Sequence, residues 1–175
     1  VTVLVYRDGV IAADRRVNFD EDMPMGAMSK LSIFSTKDYK CVVGMAGNAD
    51  SDDNCVAMAK EIVETGARPS YPGDLTLLIV AVPKDSRKKR MLIDFTSVSK
   101  NNSSLLVYRG AKIPEYFARG AGASVALGCM FAHKDSGAIK AVRAAIKHSS
   151  GCGDGINYVD TKLPLDKWRV RSKRK

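Results

Sequence analysis

Thr2, in the opening stretch VTVLVYRDGVIAADRR, is the first residue whose position raises a chemical question. A threonine hydroxyl becomes a nucleophile when a base takes its proton, and a free α-amine on the same residue is such a base. With an ordinary pKa of about 7.7–8.0, that amine is partly neutral at pH 7. In the chain as read the amine belongs to Val1, so this chemistry requires cleavage after Val1. A second group is Cys152 in SGCGDG, with Asp154 beside it and His148 upstream. A Cys–His pair is chemically conceivable, although a lone cysteine in a glycine-rich turn is more often inert. GAGASVALG has neither G-x-G-x-x-G nor the Walker Lys-Ser/Thr, which argues against a nucleotide site.

The remaining chemistry-bearing residues are scattered. Cys41, Cys55, Cys129 and Cys152 show no C-x-x-C pairing, and the histidines are only His133 and His148. That spacing suits neither a zinc site nor a disulfide framework, so the expectation is four reduced, mostly buried thiols, with no metal and no cofactor.

Charge is distributed unevenly. The net +9 arises from 28 basic and 19 acidic residues. KDSRKKR (84–90) concentrates Arg87, Lys88, Lys89 and Arg90, and the end of the chain carries Arg169, Arg171, Lys173, Arg174 and Lys175. The plain reading is a solvated hairpin tip and tail. The functional alternative is an acidic protein face or nucleic acid. With 7% aromatic residues and no recognition motif, any nucleic-acid contact would be nonspecific. No window reaches the ~18 apolar residues of a membrane helix. Asp8, Asp14, Arg15 and Arg16 interrupt the start too early for a secretory signal. A soluble protein, cytoplasmic or virion-associated and neither secreted nor membrane-bound, is expected.

The elements that must position these residues follow from periodicity. TVLVY and VIAAD read as a hairpin turning at RDG, and SKLSIFS and KCVVGMAG as a second. Between them, residues 18–28 read as a polar, Met-rich connection. ADSDDNCVAMAKEIVETGA then changes to a helical period, with Cys55, Met58, Ala59, Ile62 and Val63 on one face and Asp50, Asp52 and Asp53 in the first turn. LTLLIVAVP and MLIDF flank the basic tip, and SLLVYRG is another strand. FARGAGASVALGCMFA runs from a strand through a glycine-rich turn into a helix with Leu127, Met130 and Phe131 inward. In SGAIKAVRAAIKHS, Ile139, Val142 and Ile146 face one way and Lys140, Arg143 and Lys147 the other. GINYVD is the last strand. Runs of strands segregated from helices predict an α+β fold with two antiparallel sheets between helical layers. The expected organisation is one domain over residues 1–160 and a basic tail over 161–175.

TVLVYRDGVIAADRRV, SKLSIF, VVGMAGNADSD and GAGASVALGCMFA, in that order, resemble the proteasome β-subunit family of N-terminal-nucleophile (Ntn) hydrolases, and most closely its short stand-alone bacterial and phage members. The resemblance implies a four-layer αββα sandwich and a tendency to homo-oligomerise. It implies a threonine nucleophile at Thr2, an acid at Asp14, a lysine at Lys30, and a backbone N–H at Gly47 for the oxyanion hole.

Three positions depart from the family pattern. Ala121 stands where the family has a supporting serine, and Ser149 or Lys147, depending on register, stands where it has a late acid. Only RPSYPGD separates the first helix from the next strand, so a usual second helix is missing. The expected function is therefore a catalytically degenerate copy of the fold serving as an assembly or structural subunit, in a phage setting a virion component. The alternative is a threonine-type peptidase with Thr2 unmasked by removal of Val1.

Overall fold

The structure, a computed structural model, describes residues 2–20, 23–47 and 52–173, the side chains of 18–20 and 23–25 excepted. The chain divides into two compact units. One comprises Val1–Leu31 with Glu115–Lys175, and the other Ser32–Pro114.

In the first unit, β1 (Leu4–Arg7) and β2 (Val10–Asp14) form the hairpin expected from RDG. Its turn places Asp8 at φ 48° and Gly9 at φ 79°. Two successive left-handed residues match the twist of the flanking strands, and Asp-Gly adopts them at little cost. With β10 (Tyr116–Arg119), β11 (Ile156–Asp160) and β12 (Arg171–Lys173), the hairpin forms an antiparallel sheet ordered β10-β1-β2-β11-β12. Helices α2 (Ala123–Ala132) and α3 (Ala138–His148) pack on this sheet. Their buried residues are mostly alanines, Ala126, Ala138, Ala141 and Ala145, against Val3, Val5 and Ala12. Small side chains at the contact let helix and strand backbones approach closely.

Two expectations for this unit are corrected. The stretch read as a connection contains β3 (Arg16–Asp20) and β4 (Met23–Ala27), paired antiparallel with register irregularities. Pro24 and Gly26 interrupt any alternation there, so the pairing left no period-2 signal. Phe131 is 77% exposed instead of inward, while Ala126 and Met130 are the buried pair. Every residue of ASVALGCMFA is uncharged, so apolarity cannot single out one face. The expected basic tail, residues 161–175, contains a strand and internal contacts where it is described. β12 pairs with β11, Asn157 Nδ2 donates to Ser172 Oγ at 2.8 Å, and the buried Trp168 donates Nε1–H to Leu163 O at 3.0 Å. Backbone pairing recruited a segment whose side chains advertise only charge. Arg174 and Lys175 lie outside the described residues.

The second unit is a meander, ordered β5-β6-β7-β8-β9, of β5 (Leu31–Ser35), β6 (Tyr39–Gly47), β7 (Leu75–Pro83), β8 (Met91–Ser99) and β9 (Asn102–Arg109). The two N-terminal hairpins of the sequence therefore belong to different sheets. Helix α1 (Asp52–Thr65) joins β6 to β7 and buries Cys55, Ala59 and Ile62 at helical spacing. They pack among Val43, Leu77, Ile79 and Phe95, with Met58 and Val63 half-buried at the rim. Asp52 and Asp53 occupy its first turn, and Asp50 lies outside the described residues.

Candidate active site

Thr2, Asp14 and Lys30 meet in the first unit although the chain separates them widely. Thr2 leads into β1, Asp14 ends β2, and Lys30 immediately precedes β5. Lys30 Nζ donates to Thr2 Oγ1 at 2.8 Å and to Asp14 Oδ1 at 3.0 Å. All three are buried, Asp14 completely and the others at 7% and 8% exposure. Hydroxyl, ammonium and carboxylate thus form one continuous chain away from bulk water.

Asp14 is fixed by backbone as well. The Val3 N–H donates to Oδ1 at 3.0 Å, and the Gly153 N–H to Oδ2 at 3.1 Å. A fully buried carboxylate is tolerable only with such charge-assisted donors. Lys30 is pushed below the usual lysine pKa, chiefly because burial disfavours its charged form; the neighbouring Asp14 opposes that shift. A lysine so placed titrates between amine and ammonium more readily than one in water, as proton transfer requires.

The glycine-rich turn before α2 holds the backbone of Thr2. Gly122 N–H donates to Thr2 O at 3.4 Å, and Gly120 sits at φ 90° with no room for a Cβ, which would collide with the same carbonyl. Glycine is required at 120 on both grounds. Ala121, between them, is exposed.

The other sequence candidates lie differently. Gly47 ends β6 in the second unit at φ 101°, where a Cβ would collide with the Asp74 carbonyl. Residues 48–51 beyond it lie outside the described residues. Cys152 is buried, and its thiol pKa is pushed up, first by burial and then by Asp14, the opposite of what a thiolate nucleophile needs. His148, at the end of α3, is exposed. At the basic tip Arg87 pairs with Asp85 (2.5 Å) and Lys88 with Asp38 (2.5 Å). Lys173 lies 5.9 Å from the Tyr158 ring centroid. Among the described residues no helix is long and apolar enough to cross a membrane.

Sequence reasoning missed the residues around Asp14 that act through backbone, Val3 and Gly153, and also missed Arg16. Arg16 Nε donates to Asp154 Oδ2 at 3.1 Å, and Nη1 to Ser150 O at 2.9 Å. The available signal was the basic pair directly after Asp14, opposite an acid in a glycine-rich turn.

Solved structures with this fold cover nearly the whole chain. Anbu from Pseudomonas aeruginosa, described as a helical assembly, matches with a TM-score of 0.64 at 12% identity, over 100% of this chain and 87% of that one. The Gly-1 mutant of Anbu from Hyphomicrobium sp. strain MC1 matches with 0.62 at 16% identity, over 99% and 88%. Anbu from Yersinia bercovieri, an ancestral β-subunit, gives 0.60 at 12% identity, over 98% and 87%. No family model and no curated protein sequence matches the chain. At these identities the likeness shows the fold alone, an α+β arrangement of antiparallel sheets and helices, as expected from the sequence.

The kinship expected with short stand-alone bacterial and phage members is corrected, since the structures found are Anbu proteins, ancestral β-subunits. Residues 66–74 run directly from α1 into β7 with no helix between them, as RPSYPGD suggested.

Proposed function

We propose that this chain is a hydrolase of peptide amides in which Thr2, once it is the first residue, is the nucleophile. One observation carries the reading: Lys30 Nζ bridges the Thr2 hydroxyl and the Asp14 carboxylate at 2.8 and 3.0 Å in a buried setting. Thr2 Oγ1 attacks the amide carbonyl as its proton passes to a neutral base, either Lys30 or the freed α-amine. The tetrahedral oxyanion collapses, and the departing amine takes that proton. Water then hydrolyses the Thr2 ester, returning the hydroxyl and releasing the acid. Asp14 keeps Lys30 on the hydroxyl and stabilises it when charged.

The test is hydrolysis of a fluorogenic peptide amide by protein whose first residue is confirmed as Thr2. Thr2→Ala abolishes turnover, and Lys30→Ala lowers kcat by ~10²–10⁴-fold, the usual worth of a general base. Thr2→Ser retains measurable activity. The rate rises with pH as the base loses its proton, with the midpoint below the ordinary lysine value because burial lowers Lys30. Wild-type turnover in Thr2→Ala ends the proposal.

A second reading, a catalytically silent assembly subunit, is favoured by the exposed Ala121 and by Ser149 or Lys147, depending on register, in place of an acid. Self-assembly is compatible with either reading, and the Pseudomonas aeruginosa neighbour is described as a helical assembly. An anionic partner receives less support, because Arg87 and Lys88 are already neutralised by Asp85 and Asp38.

A further inference from the structure

Around Gly153 the chain is attached from three directions. The N–H groups of Arg15 and Arg16 both donate to Gly153 O at 3.0 Å. The Arg16 guanidinium reaches across the turn to Ser150 O at 2.9 Å and Asp154 Oδ2 at 3.1 Å. It lies so flat on Gly153 that a Cβ there would collide with it. Asp154 holds φ 62°, a left-handed conformation that suits few side chains. At the centre of these attachments the Gly153 N–H points to Asp14 Oδ2 at 3.1 Å.

We propose that Arg16 is a positioning residue for Asp14: its two-armed grip on Ser150 and Asp154 holds the Gly153 N–H on one carboxylate oxygen, leaving the other to Lys30 and Val3. The inference rests on the Thr2 reading for its catalytic meaning, although the geometry stands without it. Global stability is a poor explanation for the pair, because its side chains are 23% and 34% exposed and such ion pairs contribute little. A bidentate fork spanning a carbonyl and a carboxylate supplies orientation, which a lysine at this position cannot.

The consequence is electrostatic. The groups facing Lys30 include Asp14 on β2 and Cys152 and Asp154 in the turn, and each favours its charged form. If Gly153 releases Asp14, the carboxylate has one donor fewer and binds the Lys30 ammonium more tightly. Loss of the Arg16 cation acts in the same direction. Lys30 then becomes harder to deprotonate and a poorer base at neutral pH.

The experiment uses the full chain and two NMR readouts that need no turnover: Gly153 amide exchange and the Lys30 side-chain titration. In Arg16→Ala, Gly153 exchange quickens at least ~10-fold. The Lys30 midpoint rises by about half a unit or more. Arg16→Lys keeps the cation but cannot span both acceptors, so Gly153 loses protection there too. Asp154→Ala quickens the same exchange, although removing an anion by itself would only lower the Lys30 midpoint. Gly153 exchange within about twofold of wild type in Arg16→Ala and Asp154→Ala overturns the proposal. So does an unmoved Lys30 midpoint in Arg16→Ala. Should Arg16→Ala not fold, Arg16→Lys and Asp154→Ala carry the test through Gly153. Absent peptide hydrolysis would sink the Thr2 reading while leaving these measurements decisive for the clamp.

Discussion

At the scale of single residues, Lys30 must be pulled two ways to be useful. Burial drives it toward the neutral amine and Asp14 toward the ammonium, and burial is the larger influence. In two cysteines burial is likewise the largest influence, and there it raises the pKa. Cys41 is pushed up to about 12, chiefly by desolvation, and Cys152 is raised as well. Raised thiol pKa values mean protonated sulfur at pH 8, so iodoacetamide should spare both in the native protein. Cys129, half-buried on α2, should react first, and Cys41 and Cys152 only after denaturation. Peptide mapping of the labelled protein checks this; native labelling of Cys41 would contradict the packing described. Thr2, Asp14 and Lys30 were nameable from sequence through the family resemblance, which assigns a side chain to each of those places. The Val3 and Gly153 donors were not, since a backbone N–H leaves no trace in residue type. Arg16 looked like one of two ordinary charges at a strand end.

At the scale of elements, two glycines of one segment make opposite predictions. A Cβ on Gly122 would lie 2.8 Å from Cys152 Sγ, 2.9 Å from Val3 Cβ and 3.0 Å from Ala145 Cβ. Gly122→Ala therefore overpacks the seam between the turn, β1 and α3, and should cost about 1–3 kcal/mol. Gly128, within α2, has nothing within 4 Å of such a Cβ. Gly128→Ala should stabilise by up to about 1 kcal/mol through helix propensity. Urea unfolding of the two variants measures both signs, and equal effects would refute the close approach at Gly122. The strands and the three helices were readable from periodicity, most clearly α1, whose Cys55, Ala59 and Ile62 recur on one face. The inward face of α2 was not, because an uncharged helix offers no contrast. The strands β3, β4 and β12 were also hidden, since their pairing depends on backbone and on partners distant in sequence.

At the scale of the whole molecule, the fold survives at 12% identity to the Pseudomonas aeruginosa Anbu over the full length of the chain. Strand alternation, tight glycine turns and small residues at helix–strand seams specify architecture with little demand on particular side chains. A shared fold leaves the chemistry to be argued from the site. Here that argument rests on the Thr2–Lys30–Asp14 chain, which a peptide bearing an electrophilic carbon at the scissile position would probe directly. The decisive measurement is the intact mass and adduct map of protein beginning at Thr2 after exposure to such a peptide, alongside Lys30→Ala. The account predicts one adduct per chain, located on Thr2 and lost in Lys30→Ala. No adduct in the wild type, or one on a cysteine that persists in Lys30→Ala, would contradict it.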